Sequence, residues 1–194
     1  MKKIGLFFLG ALLSFATVGQ GVSDNEIIPV AVNLNSILRL NVTSGGNIEF
    51  TVNTIDQYES GIVSTSQYET SFTVASSTDF IVQVDPEDAA LIPVGNTDGA
   101  ASTMALGLIE YDVVYAGTTG VAGDYTLATG QELAAAATNI VEASGGTIAG
   151  DINKNAFTIQ WALATAGNSN GTLISQNLPA ARYATNVALL LIPQ

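Results

Sequence analysis

Apolar residues recur at every second position along most of the chain beyond residue 25, the period of a β-strand with one face buried. In residues 26–35, Ile28, Val30, Val32 and Leu34 share a face. In residues 36–43, Leu38, Leu40 and Val42 point one way, and Arg39 and Asn41 the other. Ser44, Gly45, Gly46 and Asn47 form a turn signal, since glycine reaches positive φ without a Cβ clash. Ile48, Phe50 and Val52 then alternate with Glu49, Thr51 and Asn53, so this pattern predicts a hairpin over residues 36–53. Further alternating runs predict strands at residues 68–76, 79–85, 108–115, 156–165 and 181–192, with a short strand near 125–128. In the run 156–165, Phe157, Ile159, Trp161 and Leu163 fall on the inward face.

The breaks in this rhythm are equally informative. Thr54 or Asp56 can cap a single helical turn, and Gly61 can end it. Asp85-Pro86-Glu87-Asp88 closes a strand, because proline has no N–H to give a ladder. Residues 86–102 read as a long loop with a helical turn near 87–91. Residues 131–143 include Glu-Leu-Ala-Ala-Ala-Ala, a run of strong helix formers, and predict the one longer helix. About nine short strands with glycine-rich turns and no strand–helix–strand rhythm predict an all-β fold. It is an antiparallel, immunoglobulin-like β-sandwich with one short helix.

Composition adds a location. Lys2 and Lys3 precede an apolar run over residues 4–18, short for a membrane span and suited to a signal peptide. Small residues follow, so residues 1–19 are expected to be removed, leaving one domain over 20–194 and no membrane span. Only Arg39, Lys154 and Arg182 remain as cations against all seventeen acids, a net charge of −14. That sign opposes nucleic-acid binding, which needs a basic face. The chain has no His and no Cys. Imidazole-based triads, thiolate metal sites and disulfides are therefore excluded.

Candidate chemistry is sparse. Asp85, Glu87, Asp88 and Asp98 offer oxygen ligands for calcium, the one cofactor the chain suggests, although turns favour aspartate for their own geometry. Asp151, Asn153 and Asn155 resemble the opening of an EF-hand loop. Ala156 stands where that loop needs glycine, and Ala162 where it needs a bidentate glutamate. A β-turn leading into the next strand explains the run better. Carboxylate pairs for glycoside hydrolysis are easy to find among seventeen acids. The single tryptophan, Trp161, lies on an apolar face instead of forming a sugar platform. Tyr58 and Tyr68 are aromatic candidates for ligand contact, with local packing the simpler reading. Asn41-Val42-Thr43 and Asn170-Gly171-Thr172 match the glycosylation sequon.

Residues 40–43 and 47–62, Leu-Asn-Val-Thr and Asn-Ile-Glu-Phe-Thr-Val-Asn-Thr-Ile-Asp-Gln-Tyr-Glu-Ser-Gly-Ile, are followed by an alternating strand. Leu178-Pro179-Ala180-Ala181-Arg182-Tyr183 precedes the closing strand. Together these resemble secreted β-sandwich proteins of Gram-negative bacteria, among them fimbria-like and adhesin-like surface proteins. The chain departs from them in Ala180 and Ala181, where glycine is more usual, and in an insertion around residues 117–155. The resemblance implies the fold and export through the periplasm to the surface or medium, and it carries over no catalytic residue. The expected function is a non-enzymatic structural or adhesive surface protein. Its partners are further copies of itself, other surface proteins or glycans. Ile28, Val30, Val32 and Leu34 would lie on a strand available for exchange between subunits. An ordinary first strand of the domain explains the same pattern. The alternative function is a module for a small ligand or glycan, with calcium as a cofactor.

Overall fold

A computed structural model describes residues 29–33, 35–95 and 102–194. The chain divides into two units, Met1–Leu34 and Asn35–Gln194. In the first, the described residues 29–33 belong to no strand, and Val30 and Val32 are exposed. Residues 1–19, expected to be a signal peptide, lie outside the described residues, as do Ile28, Leu34 and Asp98.

The second unit contains eleven strands among its described residues: β1 (Leu38–Ser44), β2 (Glu69–Ser76), β3 (Phe80–Pro86), β4 (Ile92–Val94), β5 (Ile109–Tyr115), β6 (Tyr125–Leu127), β7 (Gln131–Glu132), β8 (Thr138–Ala143), β9 (Ala156–Leu163), β10 (Arg182–Ala184) and β11 (Val187–Pro193). One sheet has the order β1-β2-β9-β5-β7 and a second β11-β3-β8-β6, while β4 and β10 form a separate ribbon. Every pairing is antiparallel. The fold is an all-β antiparallel sandwich.

The alternating positions meet in its core. Phe72 and Val74 from β2, Tyr111 and Val113 from β5, and Phe157, Ile159, Trp161 and Leu163 from β9 are buried. Phe80, Val82 and Val84 from β3, Ile140 and Val141 from β8, and Tyr125 from β6 are buried with them. Phe157 stacks on Phe72 with ring centroids 5.4 Å apart and meets Tyr125 edge-on at 5.2 Å. The indole N–H of Trp161 donates to Thr70 Oγ1 at 2.9 Å, and that hydroxyl donates to the Gly45 carbonyl at 2.6 Å. The single tryptophan is thus a core residue with its polar edge satisfied.

Three expectations are corrected. Residues 131–143 are not a helix: they form β7, a connection and β8. Register slips between Val82 and Gln83, so Ile140 and Val141 are adjacent in sequence yet both buried. This bulge erases the period-two signal. The alanine run does not make a helix because Ala134, Ala135 and Ala136 are exposed and offer no apolar stripe to bury. The hairpin over 36–53 does not form either. The partner of β1 is β2, whereas Ile48, Phe50 and Val52 pack half-buried without a strand. Phe50 instead stacks on Tyr68 at 4.5 Å. Residues 87–91 hold no helical turn, and Ile92–Val94 forms a short strand within the expected loop.

The α-helix of the described residues is α1 (Ile55–Ser60). Thr54 and Gln57 form a reciprocal capping box, and Gly61 ends the helix at φ 75°. That conformation admits glycine because an L side chain would also run into the carbonyls of Leu163 and Ala164.

Candidate assembly edge

Among the described residues each of the two larger sheets has two edge strands, and these four edges differ in kind. β7 has two residues and β6 has three, too short to template another chain. β1 is longer, but it carries Arg39 and loses register between Val42 and Ser44. A charge and a bulge are two devices that blunt an edge. β11 runs for seven residues without a charged side chain, and its pairing with β3 is regular from Val187 to Pro193.

Two bonds beyond the strand ends set the polarity of β11. Glu87 N–H donates to the Asn186 carbonyl at 2.9 Å, and Gln194 N–H donates to the Asp79 carbonyl at 2.9 Å. In an antiparallel ladder the bonding direction alternates with each residue. Ala188, Leu190 and Ile192 therefore turn their backbone groups to β3. Val187, Leu189 and Leu191 turn theirs away, toward the side on which no described strand pairs. Pro193, which has no N–H, falls in this outward set, where its lack of a donor costs no ladder bond.

The core is incompletely covered on the same side. Leu38 and Leu40 of β1, and Val187, Leu189 and Leu191 of β11, pack against the core but are only half-buried. The inward residues of β2, β3 and β9 are nearly or fully buried. On the opposite face of β11, Leu190 and Ile192 are 37% and 38% exposed. An incoming strand with alternating apolar residues would satisfy the outward backbone groups and cover the half-buried leucines.

The sequence-predicted site residues are distributed as follows. Val30 and Val32 are exposed at 85% and 76%. Asp85 is half-buried at the end of β3 and lies opposite Ala188. Glu87 accepts a hydrogen bond from Asn186 Nδ2, and Asp88 accepts one from Thr185 Oγ1 at 3.1 Å. Two of the expected calcium ligands thus hold the turn between β10 and β11. Among the described residues, no group of three or more His, Cys, Asp or Glu is arranged to hold a metal ion.

Asp151 builds a turn: its Oδ1 accepts the N–H groups of Asn153 at 3.1 Å and Lys154 at 3.0 Å. These bonds, led by that from Lys154, hold its carboxyl below the ordinary range. Asn155 is fully buried and accepts from the Tyr125 hydroxyl at 2.6 Å, which makes it part of the core. Asp79 accepts the N–H groups of Ile148 at 2.6 Å and Ala149 at 3.3 Å and the Thr147 hydroxyl at 2.9 Å. Its carboxyl is likewise held below the ordinary value, chiefly by the Ile148 bond.

One polar knot escaped the sequence reading. Glu110 on β5 and Glu132 on β7 are direct cross-strand partners. Glu110 accepts from Thr165 N at 3.0 Å, Thr165 Oγ1 at 2.6 Å and Asn168 Nδ2 at 2.9 Å. Glu132 accepts from the N–H and hydroxyl of Ser169 and, at 3.1 Å, from Asn170 Nδ2. Two like charges placed side by side are held by the donors of one loop, residues 165–171. Their only sequence signal is a donor-rich Asn-Ser-Asn tract, which does not name its acceptors. An open cleft of about 620 Å³ lies beside this knot, lined partly by Gly107, Gln131, Leu133 and Asn170.

No protein-family model matches the chain, and no curated protein matches it either.

Proposed function

We propose that this protein is a non-enzymatic structural or adhesive surface protein, exported through the periplasm of a Gram-negative bacterium. In this reading its subunits join by adding a strand to β11. The single observation that carries it is the regular, uncharged edge of β11, unpaired among the described residues, beside a half-covered core. Such edges are normally shortened, charged or covered, because they pair with other chains. The donor is the segment 25–34 of a second copy, whose apolar residues Ile28, Val30, Val32 and Leu34 have the spacing of the inward positions such a strand must fill. Pro29 and Val30 fall on opposite faces of that segment, so the proline spares the apolar face. A hydroxyl-rich outer surface suits contact with other surface proteins or glycans. Ser71 and Thr158 are hydrogen-bonded to each other on it.

The test is the size of the purified secreted chain by light scattering and electron microscopy. Polymers are expected from the full mature chain. Monomers are expected from a deletion of residues 25–34 and from Leu190→Lys, both with unchanged circular dichroism. A mature chain that stays monomeric over the accessible concentration range overturns the reading.

The second reading, a ligand or glycan module, has the cleft near Gly107 and Asn170 as its site. None of the side chains lining that cleft is aromatic. Glycan or calcium binding by a strictly monomeric protein would favour this reading, with a rise in Tm as the readout.

A further inference from the structure

Asn170-Gly171 is the only Asn-Gly pair in the chain. It sits at the end of the loop that Glu110 and Glu132 hold. Asparagine followed by glycine is chemically labile, because the glycine nitrogen approaches the preceding side-chain carbonyl without a Cβ in the way. The Gly171 nitrogen attacks Asn170 Cγ, so an N–Cγ bond forms and the Cγ–Nδ2 bond breaks. The nitrogen of the amide leaves as ammonia, taking the Gly171 proton. Water then opens the cyclic imide to aspartate or isoaspartate, and no oxidant or reductant is needed.

Both reacting groups are restrained in the fold. Gly171 N–H, at φ 83°, donates to the Asn168 carbonyl at 3.0 Å. The leaving amide, Asn170 Nδ2, donates to Glu132 Oε2 at 3.1 Å and to Ser169 Oγ at 3.3 Å. The Asn170 carbonyl accepts from Gln176 Nε2 at 2.7 Å. For the ring to close, the amide must rotate off Glu132 and Gly171 must release Asn168. Asn170 is nevertheless exposed, so water reaches the imide once it forms.

We propose that Asn170 is the deamidation site of this protein and that Glu132 is the residue that restrains it. The product sets a second carboxylate against Glu132 where a donor had been. Removing the donor breaks a charge-assisted bond, and the new negative charge repels the old one. Loop 165–171 then loses part of its hold on β7, and the change cannot reverse on its own. The modification acts as a one-way clock on the polar knot, independent of how the subunits assemble.

Peptide mapping of the mature chain after prolonged incubation at mildly alkaline pH reads the site directly. The parent protein is expected to accumulate aspartate and isoaspartate at position 170 slowly. Glu132→Ala is expected to accelerate this about tenfold, and the urea-unfolded parent at least as much. Glu132→Gln separates fold loss from loss of restraint, because it keeps the shape and an acceptor. It should stay closer to the parent, and all variants are checked by circular dichroism. The exchange pair Glu132→Gln with Asn170→Asp should recover the stability that Asn170→Asp alone loses, since donor and acceptor merely change places. An unfolded chain that leaves Asn170 intact overturns the site. A folded parent that reacts as fast as the unfolded chain overturns the restraint.

Discussion

A pair of prolines along β11 tests the edge argument at single-residue resolution. Leu190 turns its N–H toward β3, opposite Gln83, whereas Leu189 turns its N–H outward. Leu190→Pro therefore removes a ladder bond and strands the carbonyl of Gln83, a half-buried residue. An unsatisfied group of that kind costs about 1–3 kcal/mol, before any clash of the proline ring with β3. Leu189→Pro leaves the ladder whole and loses only part of a half-buried side chain, about 1 kcal/mol. Against a total stability of about 5–15 kcal/mol, both variants should fold. For the proposed strand addition the expected order reverses. Leu189→Pro deletes one of the three outward N–H groups and places its ring in the path of the incoming strand. Urea unfolding followed by Trp161 fluorescence measures the first effect, because that side chain is only 7% exposed in the fold. Light scattering measures the second. Equal destabilisation by the two prolines would refute the assigned polarity. A Leu189→Pro protein that polymerises like its parent would refute β11 as the junction.

Three further outcomes follow from the core and its caps. Tyr125→Phe removes the 2.6 Å bond to Asn155 Oδ1 and should lower stability by about 1–3 kcal/mol, read as a shift in denaturant midpoint. Gly61→Ala should lower Tm, since a side chain there meets the Leu163 and Ala164 carbonyls at a φ of 75°. Asp79 has a folded pKa below its ordinary 3.8, so it adds stability above that value and loses it as pH falls through the lower folded pKa. Asp79→Asn should flatten that part of the acid limb in a plot of Tm against pH, and an unchanged limb would remove Asp79 as its cause.

Much of the fold was legible because side-chain direction in a strand is a local property. Phe72 and Val74, Phe80 to Val84, and Phe157 to Leu163 alternate in sequence and are buried as that alternation requires. The Thr54 and Gly61 caps of α1 are local for the same reason. The misreadings share a different origin. A bulge set Ile140 and Val141 side by side in the core and broke the periodicity at β8. The apparent hairpin partner of β1 was a neighbour in sequence, whereas β2 was the partner in space.

By itself the sequence determined an all-β chain, the inward faces of its main strands, the capped turn at 54–61 and the excess of negative charge. Each of these depends on residues within a few positions of one another, or on a sum over the chain. Only the tertiary structure decided which strands lie at the sheet edges and which way their backbone groups point. It also decided that Glu110 and Glu132 stand together against residues 165–171. Those are pairings across long stretches of chain. Alternation marks a strand's two faces but carries no information on what lies at its two sides.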